Sequence, residues 1–136
     1  MSISKPLSVF LWILRLVAVI ILLQTLFFKF TASEESVYIF STIGMEPWGR
    51  IGTGVMELIA ALLLLIPRTT AFGALLATGL MSGALFFHFT VLGIEVKGDG
   101  GLLFVYAVIV LVCVLILLAL HQSQIKLMLQ RLKLLK

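Results

Sequence analysis

The run Ile51-Gly-Thr-Gly-Val-Met-Glu-Leu-Ile-Ala-Ala-Leu-Leu-Leu-Leu-Ile66 carries a single charge, Glu57, in an otherwise apolar stretch. Read with its flanks, it has the length of about 20 residues that a helix needs to cross a hydrocarbon core. A carboxylate at that depth costs about 2.5–3.5 kcal/mol on insertion scales, so it faces a partner or a polar cavity. Whatever site the protein has is expected to form around Glu57.

Working outward, residues 7–30, 47–66, 70–93 and 100–120 form four such segments. The chain of 136 residues is 62% hydrophobic and 12% charged, with a mean hydropathy of +1.24. That composition excludes a soluble domain and leaves no room for a separate soluble catalytic unit. The expected fold is all-α, an integral membrane four-helix bundle over residues 1–122, followed by a basic amphipathic tail over 123–136. The first segment is too long for a signal peptide and carries Arg15, Gln24 and Lys29, so it reads as a retained membrane helix.

Charge placement orients the bundle. Lys5, Arg68, Lys126, Arg131, Lys133 and Lys136 occupy the two tails and the second connection without any acid, whereas Glu34, Glu35, Glu46, Glu95 and Asp99 occupy the first and third connections. The positive-inside tendency puts both termini in the cytoplasm and the acidic loops outside. The net charge of +4 thus reports topology, and no nucleic-acid footprint is expected.

The first outer connection has its own pattern. Thr31 and Glu34 fit a capping box, and Val37, Tyr38, Phe40 and Ile43 form a stripe that Gly44 ends, predicting a short interfacial helix. Glu46-Pro47 opens the second membrane helix with proline in its first turn. Ile66-Pro67-Arg68-Thr69 is a tight turn that makes the second and third helices a hairpin. In the third, Gly73, Ala77, Gly79 and Gly83 allow close backbone approach, within the bundle or between protomers. The tail sets Ile125, Met128, Leu129, Leu132 and Leu135 against Lys126, Gln130 and Lys133, as a helix on an anionic leaflet does.

Helical spacing selects the candidate site residues. Arg15, Leu22 and Lys29 are seven apart and share a stripe with Ala18 and Thr25; Arg50 and Glu57 are likewise seven apart. At 1.5 Å per residue Glu57 lies roughly 10–15 Å below the outer end of its helix. Lys29 or Arg50 is its expected counter-charge. His88 stands near the outer end of the third helix, where it suits proton carriage or a hydrogen bond to a ligand. Gln24 and Asp99 complete the candidate ligand-binding set of Glu57, Lys29, His88, Arg50, Gln24 and Asp99. Arg15 is expected to snorkel to the inner headgroups. Phe27, Phe28, Phe30, Phe86, Phe87 and Phe89, with Tyr38 and Trp48, crowd the same level. An aromatic pocket with a few polar groups suits a lipid-soluble ring compound such as a quinone, the one candidate cofactor.

Other chemistries are excluded. The single cysteine, Cys113, precludes an intrachain disulfide or a CxxC motif. His88 and His121 lie at opposite ends of the bundle, so one chain does not hold a bis-histidine haem. No cluster has zinc spacing and no glycine-rich phosphate loop is present, so no metal ligand is assigned. No residue is assigned as catalytic.

Leu14-Arg15-Leu16 through Phe27-Phe28-Lys29-Phe30, Met56-Glu57-Leu58-Ile59-Ala60-Ala61-Leu62-Leu63-Leu64, Pro67-Arg68-Thr69-Thr70-Ala71 and Phe87-His88-Phe89 together resemble the DoxX family of small membrane proteins. The resemblance covers about residues 10–118. It departs from the family pattern before Lys29, where Thr25, Leu26 and Phe27 stand in place of a glycine, and at Pro67, where a glycine is common. The resemblance implies a four-helix protein of the bacterial cytoplasmic (inner) membrane, with Lys29 and Glu57 as the polar pair. Some relatives are small subunits of thiosulfate:quinone oxidoreductase, while the animal receptor chaperone NACHO looks like an assembly factor. Three functions follow: an accessory subunit of a quinone-linked redox system, a non-catalytic partner or assembly factor, and a carrier of small hydrophobic molecules. Expected partners are the lipid bilayer, another membrane or periplasmic protein, or a second copy of the chain.

Overall fold

The computed structural model describes residues 4–135. Its helices are α1 (Lys5–Phe30), α2 (Glu34–Thr42), α3 (Trp48–Leu65), α4 (Thr70–Phe87), α5 (Leu102–Leu120) and α6 (Gln122–Leu134). A 3-10 turn over Pro67–Thr69 joins α3 to α4, and a π-helical turn over His88–Leu92 extends α4. The described residues contain no strand. Four helical stretches are long and apolar enough to cross a membrane: α1, α3, α4 with its flanking turns, and α5.

These four close into a ring in which α1 packs on α3 and α5, and α4 packs on the same two. Each helix therefore has antiparallel neighbours, as an up-down bundle with short connections requires. One end holds the start of α1, the α3–α4 turn, the end of α5 and α6. It carries Lys5, Arg68, Lys126, Arg131 and Lys133, and is called the basic end here. The acidic end holds α2 and the loop over residues 93–101.

The core is narrow because its residues are small. Ala18, Ala60, Ala71, Ala74 and Ala77 are fully buried alongside Leu22, Leu64, Val110, Val114 and Leu117. Larger apolar groups such as Ile20, Phe27, Leu62, Leu75, Phe86 and Val112 stay on the outside, the distribution suited to a bundle wrapped in acyl chains. Helices α3 and α4 approach closely at Gly73, where an added Cβ would lie 2.7 Å from the Leu64 amide nitrogen and 2.9 Å from the Ala60 carbonyl. Gly79 and Gly83 behave differently: a Cβ at either would meet nothing within 4 Å. Their GxxxG spacing makes no helix contact inside this chain.

Two local readings are corrected by the chain's own hydrogen bonds. The cap of α2 is Ser33, whose hydroxyl accepts from the Ser36 amide at 3.2 Å. Thr31 instead ends α1, its hydroxyl donating to the Phe27 carbonyl at 2.8 Å. Pro47 precedes α3 as its N-cap residue, and the helix begins at Trp48.

Candidate polar cavity at the acidic end

Glu57 is 2% exposed on the inward face of α3. Antiparallel packing sets the last turns of α1 beside it, and the Lys29 ammonium lies 3.0 Å from Glu57 Oε1. One turn earlier on α1, the Thr25 hydroxyl is 3.3 Å from Glu57 Oε2 and 3.0 Å from the Leu22 carbonyl. It has one proton to donate between them. Lys29 is the partner of Glu57, and both carboxylate oxygens are engaged.

Arg50 is not in this cluster. Its Nε donates to both Glu46 oxygens, at 2.9 and 3.0 Å, and its Nη1 donates to the Lys29 carbonyl. Glu46, one turn away on the same chain segment, captures the guanidinium, and Arg50 ties the start of α3 to the end of α1. Gln24 is exposed on the surface of α1, turned off the face that Thr25 and Lys29 share. Asp99 serves the backbone: its oxygens accept from the amides of Val96 (3.0 Å), Gly101 (2.8 Å) and Leu103 (3.2 Å), capping α5. Burial alone would raise its carboxyl, but these three donors, with His88 nearby, outweigh it and hold Asp99 below the ordinary aspartate range.

His88 is 5% exposed and opens the π turn. Gly93 clasps it twice. The Gly93 amide donates to the His88 carbonyl at 2.9 Å, the i to i+5 bond of the turn, and the His88 Nδ1 donates to the Gly93 carbonyl at 2.8 Å. Gly93 has φ +78° and ψ 175°, a combination that side-chain-bearing residues avoid. The imidazole also meets the Phe104 ring edge-on at 5.7 Å. Single-turn π insertions of this kind recur at functional sites.

Glu57, Lys29, Thr25 and His88 line one partly open cavity of about 290 Å³ between α1, α3, α4 and α5, with α2 over it. Leu22, Met81, Ala84 and Phe87 supply its apolar walls, Tyr106 a ring with a phenol hydroxyl, Gly79 and Gly83 a smooth strip of α4, and Ser33, Ser36 and Ile39 its cover. The volume sits at the small end of ligand cavities, which start at about 300 Å³. Arg50, Gln24 and Asp99 do not line it.

Glu35, unexpected from its position beside the helix cap, also faces the cavity. Its Oε1 is buried without a partner. Burial first, then the charge and hydrogen bonding of adjacent Asp99, push the Glu35 carboxyl above the ordinary glutamate range, against the pull of Lys97. Asp99, held low by its three amide donors, keeps its charge, and Glu35 is the carboxyl that holds a proton more tightly than a free glutamate does. The folded state therefore binds that proton more tightly than the unfolded chain. Ionised Glu35 is a penalty above its folded pKa, and the penalty fades as pH falls through that value. Glu35→Gln is expected to raise the Tm by about 1–2 °C at pH 8, with no gain at pH 4, in thermal unfolding of the detergent-solubilised protein. An equal shift at both pH values would refute the assignment.

At the basic end, Arg15 is also buried, at 4% exposure. It does not snorkel: its Nη2 donates to His121 Nε2 at 3.2 Å, and its guanidinium carbon lies 4.6 Å from the Trp12 ring centroid. The reason is its stripe, shared with fully buried Leu22, which faces the interior of the bundle and not the lipid. His121 Nδ1 donates to the Leu117 carbonyl at 2.7 Å. Next to it, the Gln124 side chain accepts from the Ala71 amide at 2.9 Å and donates to the Pro67 carbonyl at 2.7 Å, docking α6 on the α3–α4 turn.

Residues 13–119 match the family model described as the DoxX-like family. The chain belongs to the DoxX-like family. The match covers most of α1, all of α3 and α4 and nearly all of α5, and includes Lys29, Glu57 and His88. With its four apolar helices, this DoxX-like chain is a small integral membrane protein. No curated protein and no solved structure matches it. Among its described residues, no group of three or more histidine, cysteine or acidic side chains could hold a metal ion.

Proposed function

We propose that this DoxX-like protein holds a lipophilic ring compound of the quinone class in the cavity at its acidic end, as an accessory subunit of a quinone-linked redox system. The observation that carries the reading is the cavity itself, apolar on most of its wall, with buried Glu57–Lys29 on one side and His88 on another. Such a combination fixes a ring by its oxygens and leaves its body in apolar surroundings. The positive-inside tendency puts the basic end in the cytoplasm of a bacterial inner membrane and the cavity in the outer half of the bilayer. Lys29, Glu57 and His88 bind and move protons but exchange no electrons. The two electrons that convert quinone to quinol therefore come from a partner protein, and the two protons pass through acidic-end side chains.

A second reading, a non-catalytic partner or assembly factor for another membrane protein, is favoured by the way Glu57 commits both oxygens to Lys29 and Thr25. A carrier of small hydrophobic molecules would use the same cavity. Mass spectrometry of the gently solubilised protein separates these. Stoichiometric quinone that disappears in Glu57→Gln is the expected result. An empty cavity with a larger chain bound stoichiometrically would replace it with the assembly reading.

A further inference from the structure

We propose that the cavity selects, among ring compounds, those that donate a hydrogen bond to His88 and accept one from Lys29, so that a hydroxyl-bearing ring of the quinol type is held in preference to the same ring with both oxygens blocked. This rests on the ligand reading above and adds the hydrogen-bond polarity of the ligand.

The polarity follows from what the protein has already used. A carbonyl oxygen only accepts, so the 2.8 Å contact to Gly93 places a proton on His88 Nδ1. In neutral imidazole the other nitrogen, Nε2, is then a lone pair seeking a donor. No side chain or backbone group among the described residues supplies one, although the residue is buried and lines the cavity. Gly93 and Phe104 hold the ring from two sides, so the tautomer is set by the fold and not by the ligand. On the opposite wall the demand is reversed. Lys29 has three N–H donors and directs one to Glu57. The others have no hydrogen-bond partner among the described residues and are left for a ligand acceptor.

A guest that satisfies both walls carries an acceptor oxygen at one position and an O–H at another, on an apolar body. A quinol, or a quinol with one oxygen alkylated, has both. A quinone offers two acceptors and leaves His88 Nε2 facing an oxygen lone pair. Gly79 and Gly83 supply the space: both line the cavity, and a Cβ at either would meet no protein atom within 4 Å.

The test uses a redox-silent pair, a 4-alkoxyphenol and the matching 1,4-dialkoxybenzene, with the full-length protein in nanodiscs at pH 8. Both have an ether oxygen for Lys29, and only the first donates. Equilibrium dialysis is expected to show the alkoxyphenol bound about tenfold more tightly, the worth of one hydrogen bond and its unmet partner. His88→Asn, whose amide nitrogen replaces Nδ1 toward Gly93 but offers nothing at Nε2, should erase the preference while diether binding persists. His88→Gln, which restores a polar group near Nε2, should recover part of it. Gly79→Val fills the space without touching a polar group and should remove both ligands. Equal binding of the two compounds to the unmodified protein overturns the polarity and leaves the cavity reading intact. Binding of neither, or binding of both unaffected by Gly79→Val, overturns the cavity reading as well.

Discussion

Lys29→Met is expected to destabilise the protein by about 3 kcal/mol, and adding Glu57→Gln should recover most of that loss. The single change leaves a 2% exposed carboxylate with only the Thr25 hydroxyl beside it, and breaking a buried pair from one side costs about 3–5 kcal/mol. Replacing both partners by neutral groups removes the uncompensated charge, which is why whole-pair replacements run near neutral. The two single variants should differ. In Glu57→Gln the orphan is Lys29, whose side chain is 15% exposed in the last turn of α1. Its long stem lets the ammonium reach the end of the bundle, so the loss should be about 1 kcal/mol, the scale of one net hydrogen bond. Glu57 has no such escape at mid-helix. A double-mutant cycle by denaturant titration in mild detergent reads the coupling directly. If the double variant is as unstable as Lys29→Met, the two side chains are independent and the pair is not what holds Glu57.

How far these contacts were legible depends on which of them are local. The four spans, the hairpin at Pro67 and the burial of Glu57 follow from hydropathy and helical period, properties of one segment at a time. The choice of Lys29 over Arg50 does not. Both are cations at the same level, and the decision rests on Glu46, one turn from Arg50, and on the rotation of α1 against α3. The role of Asp99 as a cap is local, between Gly98 and Gly100 at the start of α5. Glu35 looked like a first-turn acid of α2, and only the folding of α2 over the bundle turns it toward Asp99. The π turn has no hydropathy signature; its one clue is Gly93, whose positive φ excludes most other residues. Gly79 and Gly83 show the limit of motif reading. Spacing alone does not distinguish glycines that admit a helix from glycines that line a hole, and Gly73 is the one that admits a helix.

Arg15 tests the same distinction at the other end of the bundle. His121→Phe is expected to cost about 2–3 kcal/mol, the value of a hydrogen bond to a charged group whose loss leaves that charge buried. The remaining stabilisation, the Trp12 ring at 4.6 Å, is worth about 0.5–2 kcal/mol as a cation–π contact and does not replace it, since Arg15 Nε already lacks a partner. Arg15→Leu should be milder, near 1 kcal/mol, because His121 keeps its bond to Leu117 and the new side chain is apolar. Combining the two removes both the charge and its acceptor, so the double variant should be more stable than His121→Phe alone. A snorkelling arginine predicts something else: all three variants within about 0.5 kcal/mol of the parent, as for exposed surface changes. The ordering His121→Phe worst, double variant intermediate or better, distinguishes a buried guanidinium held by the α1–α5 interface from one that merely reaches past it. His121 also stands at the break between α5 and α6, with its carbonyl accepting from the Gln124 amide at 3.1 Å. Its loss should therefore loosen α6 from the α3–α4 turn, read as faster proteolysis after Lys126 in His121→Phe than in Arg15→Leu.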